Sequence, residues 1–222
     1  MASEVEICNM ALAQIHGSSI NSLGESSREA QQCSLFYTSS RDQVLTEVNW
    51  GFSNKLTALA ELTELSVFDW AFVWAYPTDC LTINHLVRNV QSVEAGSGQS
   101  AVALRFNDTR FQTPRDLPPV EYDVMNVNGT KVIVTNEDVM RVNYRLRITD
   151  PNLIPVNVRI AISWLLASSL ALPIAGVKDG RVLRDDAIKL YSAWITKSGN
   201  QDSNESHQAP KESEYITVRE TS

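Results

Sequence analysis

From Ile160 to Val177 the chain runs for 18 residues without a charge. A helix built from such a stretch must be surrounded on most sides, either by lipid or by other parts of a protein. Ser163, Ser168, Ser169, Pro173 and Gly176 interrupt the run, Arg159 stands directly before it, and no basic cluster flanks it. Burial against other helices is therefore expected, and no membrane span. Pro155, after Asp150-Pro151, suits a first helical turn, while Pro173 and Gly176 break the helix. A last helix carries Leu183, Ala187, Leu190, Trp194 and Ile195 and ends before Gly199.

A buried helix needs partners, and the N-terminal segment supplies them. Ser3 and Glu6 stand at capping-box spacing ahead of Ile7, Cys8, Ala11, Leu12 and Ile15, which share one helical face up to Gly17. His16, in the last turn, fits the negative end of the helix dipole. Ser26 and Glu29 repeat the capping spacing before Ala30, Cys33, Tyr37, Val44 and Val48, a longer amphipathic helix reaching Trp50.

Between these helical ends the period changes. Residues 51–77 are rich in Leu and aromatics without one clean period and read as a turn, some helix and an aromatic cluster. Further on, Val102, Leu104 and Phe106 alternate, and Val124 and Val127 lead through Asn128-Gly129 to Val132 and Val134. Asn-Gly between such runs marks a tight hairpin. Val142, Tyr144, Leu146 and Ile148, with Asn143, Arg145 and Arg147 between them, read as a half-solvated strand.

The expected fold class is α+β: a helical bundle made by residues 1–77 and 150–198, a small antiparallel β insertion over 78–149, and a flexible C-terminal arm over 199–222. The arm is polar and aperiodic except for Tyr215, Ile216, Thr217 and Val218, which have strand character. These four residues and Arg219 are the expected partner-binding segment.

The chemistry-bearing residues are sparse. Cys8, Cys33 and Cys80 form no CxxC pair, and their odd number points away from a disulfide framework and toward a reducing compartment. With His16, His85 and His207 as the three histidines, zinc-ligand spacings are missing, and neither metal nor cofactor is expected. Gly96-Ser97-Gly98 lacks the Lys and Ser/Thr of a phosphate loop and reads as a turn. The acidic MASEVEICNM start is unlike an export signal.

Two competing chemistries can be drawn. Cys80 with Asp79 and His85 would make a cysteine hydrolase, although residues five apart on a strand point to opposite faces. Arg141, Arg145 and Arg147 could contact DNA or an acidic partner, with a solvated strand face as the plainer reading. The net charge of -7, with three bases against nine acids over residues 1–77, opposes tight DNA binding. No catalytic residue is expected.

The order of segments has a recognisable shape: ICNMALAQIHGSSINSLGESSREAQQC, then RDQVLTEVNWGFS and WAYPTDCL, then KVIVTNED and VNYRLRITDPNLIPVNVRIAISWLLASSLALPIAG. It resembles tail tubular protein A, the family of head-to-tail adaptors of podoviruses, over nearly the whole chain. His16 departs from the apolar residue expected there. The resemblance implies a non-enzymatic virion subunit, made and assembled in the host cytoplasm. It implies a dodecameric ring of identical copies between the portal protein and the downstream tail tube or nozzle protein, around a lumen that genomic DNA crosses without specific binding. A head-completion or connector protein of a longer-tailed phage is the alternative.

Overall fold

The computed structural model describes residues 3–88 and 119–205. The element order is α1 (Glu4–Gln14), α2 (Arg28–Glu47), β1 (Asn54–Ala58), β2 (Phe72–Ala75), β3 (Cys80–Arg88), β4 (Tyr122–Val127), β5 (Thr130–Thr135), β6 (Val139–Leu146) and α3 (Val156–Glu205). The class is mixed α+β, helices with two small antiparallel sheets. The alternation at Val102–Phe106, the turn at Gly96–Gly98 and the segment Tyr215–Arg219 lie outside the described residues.

α1 starts where its cap dictates: the Ser3 hydroxyl accepts from the Glu6 N–H at 3.1 Å. It stops at a Schellman turn. The Gly17 N–H reaches back to the Leu12 carbonyl at 2.9 Å, and His16, not the glycine, takes the left-handed position at φ 60. Gly17 serves by its size, since a Cβ there would press on Leu12 Cδ2 at 3.0 Å. α2 is capped by Ser27, one residue later than expected, its hydroxyl accepting from the Ala30 N–H at 3.3 Å. The helix ends at Glu47, and the indole of Trp50, fully buried, donates to the Val44 carbonyl at 2.9 Å. That bond satisfies one of the orphan carbonyls of the last turn.

The charge-free stretch forms the first arm of α3, and Gly176 reverses the chain. At φ 80 and ψ 178 this residue lies in a region that only glycine occupies readily. The second arm then runs back along the first, so that Asn157 donates to Gln201 across the open end. The reversal is tight: a Cβ on Gly180 would stand 2.5 Å from the Ala171 carbonyl oxygen. By length and composition α3 could cross a membrane. Its first arm nevertheless buries Val158, Ala161, Ile162, Leu166, Leu170 and Ala171 in one cluster with Ile7, Leu12, Tyr37 and Leu45 of α1 and α2. That burial is the role the sequence implies for it.

The β unit begins earlier than expected. β1 and β2 lie within residues 54–75, so the border placed at 77/78 moves to residue 54, because β1 pairs with β6 from Asn54↔Arg145 to Ala58↔Arg141. The inner sheet has the order β1-β6-β3 and the outer sheet β2-β5-β4. Between them Trp74, Ile133, Val142, Tyr144 and Leu86 make a second core. The Asn128-Gly129 hairpin forms as expected, with φ 51 and 82 at the two turn residues. At the far end, helix α3 continues to Glu205, past the start of the arm expected at residue 199.

Candidate interaction surfaces

The inner sheet meets α2 through charge. Asp79, in the turn just before β3, clamps the inner sheet: one carboxylate oxygen accepts from Lys55 of β1 at 2.7 Å and the other from the Tyr144 hydroxyl of β6 at 2.6 Å. Its main-chain carbonyl accepts the Arg147 N–H at 2.8 Å. The neighbouring Lys55 ammonium, and next the Tyr144 hydroxyl, hold the Asp79 carboxyl below the usual carboxylate range. Burial, with the carboxylate next in effect, pushes the Tyr144 hydroxyl up to about 12. Beside the clamp lies an open cleft of about 530 Å³, lined by Lys55, Asp79, Arg147, Asp150 and Leu153 among others.

From Arg147 the network crosses to the helices. The Arg147 Nε lies 2.9 Å from one Asp42 oxygen, and the other Asp42 oxygen accepts from Arg41 at 2.9 and 3.0 Å. Arg41 is a charge almost fully withdrawn from water, 4 % exposed, with Glu4 of α1 at 3.9 Å as a further counter-charge. Paired as it is, the guanidinium escapes the several kcal/mol, on the order of 3–5, that an uncompensated buried charge would cost. Arg145 donates to the main-chain carbonyl of Thr46 at the end of α2.

These contacts extend the reading of the arginines. Arg141 and Arg147 are exposed, as a solvated face requires, and Arg145 is half-buried, but Arg145 and Arg147 also reach α2 and link the two halves of the molecule. The proposed hydrolase residues are likewise dispersed. Cys80 is buried in the inter-sheet core and its thiol is pushed up by that burial; Asp79 is engaged by Lys55 and Tyr144; His85 is exposed. Along β3, Cys80 stands opposite Leu146 and His85 opposite Asn143. Cys8 and Cys33, both fully buried, face each other between α1 and α2, and contact with Cys33 together with burial raises the Cys8 thiol. All three cysteines are free. Among the described residues no group of three or more His, Cys, Asp or Glu is placed to hold a metal.

Exposed apolar residues are spread over the surface, with Leu35 on α2, Leu56 on β1, and Leu153 and Val156 around the start of α3 among them. Val177 and Val182 stand out at the turn of the α3 hairpin, 65 % and 62 % exposed, and Phe68 protrudes from the loop before β2. A groove of about 460 Å³ runs between α2 and the hairpin, lined by Phe36, Leu165, Leu172, Arg184, Ile188 and Tyr191 among others. Burial, with Glu47 next, raises the hydroxyl of Tyr191, which donates to that carboxylate at the end of α2.

Sequence reasoning passed over Arg41, Asp42, Phe68 and the groove. Arg41 did leave a signal, since it falls four residues after Tyr37 on the apolar stripe of α2, where a charge requires a partner. Phe68 left none, because its exposure follows from a turn that local pattern does not encode. A scan against protein-family models finds no match, and no curated protein matches the chain.

Proposed function

We propose that this chain is a non-catalytic structural adaptor of a phage particle, a subunit of a ring stacked between portal and tail that leaves a lumen for DNA. In this reading the helices of the two chain ends form a bundle, the β unit projects from it, and the C-terminal arm with Tyr215–Arg219 reaches the portal. The observation that carries it is the junction between the two halves. Arg145 and Arg147 join the inner sheet to Thr46 and Asp42 of α2, so the two halves are linked by directed polar contacts, with exposed apolar residues on the hairpin turn and on the outer loop among others. A subunit that joins two different partners needs two such ends held at a fixed distance. The acid excess of residues 1–77 supports a surface along which DNA slides without adhering.

The test is native mass spectrometry of the 24.7 kDa subunit alone and with a purified portal ring. The expected result is a complex that gains about twelve copies, one closed ring. Failure to associate at any salt concentration would remove the adaptor reading. Binding to a neck assembly of a longer-tailed phage in place of a short-tail portal would favour the connector alternative.

A further inference from the structure

The outer sheet differs from the rest of the molecule in both charge and shape. Residues 59–77 and 120–138 hold seven acids and a single base, Lys131. That base is drawn over the Tyr76 ring at 3.7 Å.

Within this acidic unit, Val67 and Trp70 bridge and fold the chain over Phe68 and Asp69. The Trp70 N–H donates to the Val67 carbonyl at 3.2 Å, and Asp69 takes the left-handed conformation at φ 70, which Asp tolerates better than most residues. The following Ala71 N–H is held by the Asn136 side chain at 2.9 Å. Beneath the turn, Val67 and Trp70 pack on Val73, Val132 and Val134. Phe68 at the crest is 90 % exposed. One exposed apolar residue needs no explanation by itself. The main chain of this turn is pinned from both sides, however, so a binding contact at Phe68 has less backbone freedom left to remove.

The same chain carries a concave counterpart, the groove between α2 and the α3 hairpin, where Phe36, Leu165, Leu172 and Ile188 stand beside Gln43, three serines and Arg184. Among the described residues Arg184, followed in the chain by Asp185 and Asp186, forms no ion pair, and neither do Asp69 at the crest and Glu64 four residues before Phe68. The crest belongs to the β unit and the groove to the helices, and within one molecule Phe68 stands free of the groove, 90 % exposed and absent from its lining. We infer that Phe68 of one copy enters the groove of a second copy, with Glu64 and Asp69 facing its Arg184. Crest and groove are different surfaces, so the contact is heterologous and runs head to tail. Its closure into a circle, in place of a filament, rests on the ring reading above.

The experiment places p-benzoylphenylalanine at position 68 of the full chain and irradiates it alone at rising concentration, with sedimentation velocity in parallel. Cross-links are expected between copies, at residues 36–43 or 184–192. Phe68→Ser is expected to weaken self-association about thirty-fold, the size of a lost aromatic anchor. Arg184→Glu is expected to weaken it as well, and added salt likewise. Leu153→Ser, at another exposed apolar residue, beside the other cleft, is expected to leave association unchanged. A chain that stays monomeric throughout, or cross-links that land elsewhere, overturns the contact. A chain that joins a portal ring while position 68 cross-links only to the portal overturns this contact and leaves the adaptor reading standing. Self-association through Phe68 by a chain that ignores the portal does the reverse.

Discussion

Gly180 approaches the main chain of Ala171 so closely that a single added methyl would lie 2.5 Å from the Ala171 carbonyl oxygen and 3.0 Å from the Cα of Leu172. Both neighbours are backbone, which cannot rotate away, so Gly180→Ala should pry the two arms of α3 apart. A loss of about 1–3 kcal/mol is expected from overpacking, read as a fall in thermal midpoint. Gly24→Ala, whose Cβ would meet only Ser22 Oγ at 3.6 Å, is the control and should stay within about 0.5 kcal/mol.

Gly176 makes the complementary case. A Cβ there meets nothing within 4 Å, yet its φ of 80 and ψ of 178 are closed to other residues. Gly176→Ala should cost about 1–3 kcal/mol through backbone strain alone. Denaturant titration of the two single variants and the double variant measures how far the two sites are coupled, because both shape one reversal and opening it by the clash at Gly180 should relieve part of the strain at Gly176.

Trp50 seals the end of α2 with its ring and its N–H together. Trp50→Phe keeps most of the apolar area but leaves the Val44 carbonyl unsatisfied, an expected loss of about 1–3 kcal/mol. Trp50→Ala adds a cavity and should lose about 3–5 kcal/mol. Equal losses for both variants in urea unfolding would show that the hydrogen bond, and not the ring, holds this position.

The Asp79 carboxyl titrates below its ordinary value of 3.8, chiefly through Lys55 and then Tyr144. Its native state is thus stabilised by ionisation: the contribution is present in full above that ordinary value and disappears as pH falls through the lower folded value. Asp79→Asn should lower stability at neutral pH by less than about 1 kcal/mol, since the pair is partly in water. The gap between wild type and variant should close below about pH 4. A gap that stays constant down to pH 2 would show that the clamp acts through shape alone.

Cys8, Cys33 and Cys80 are all buried, at 0 %, 0 % and 7 % exposure. Labelling by an aromatic disulfide reagent should be slow in the native protein for all three and become fast in denaturant. Rapid reaction confined to Cys80 in the folded chain would revive nucleophilic chemistry at that residue.

The helices were legible because each carries its own local signals. Ser3 with Glu6, the stripe of Cys33, Tyr37 and Val44, and the charge-free run after Arg159 each declare a capped or buried helix without reference to distant residues. The Asn128-Gly129 turn was legible for the same reason. β1 was not. Its burial runs exposed, exposed, exposed, intermediate, exposed, so it shows no alternation, and it is a strand only because β6, some 85 residues on, pairs with it. Arg145 and Arg147 read as a solvated strand face because the period of two reveals which residues share a face and says nothing of what stands opposite. The hairpin in α3 lies between these cases: Pro173 and Gly176 announced a break, but only the fit of Gly180 against Ala171 shows that the chain doubles back.

The helical core draws on both ends of the chain, from Ile7 to Trp50 and again from Ile148 to Ile195. During synthesis the first of these segments leaves the ribosome with nothing to cover its apolar stripes. The strands of the β unit, all between Asn54 and Leu146, are complete before α3 exists. The β unit should therefore close first, and the first two helices should stay uncovered until the last quarter of the chain arrives. Nascent chains halted just short of residue 156 would carry a folded β unit and an N-terminus open to proteolysis.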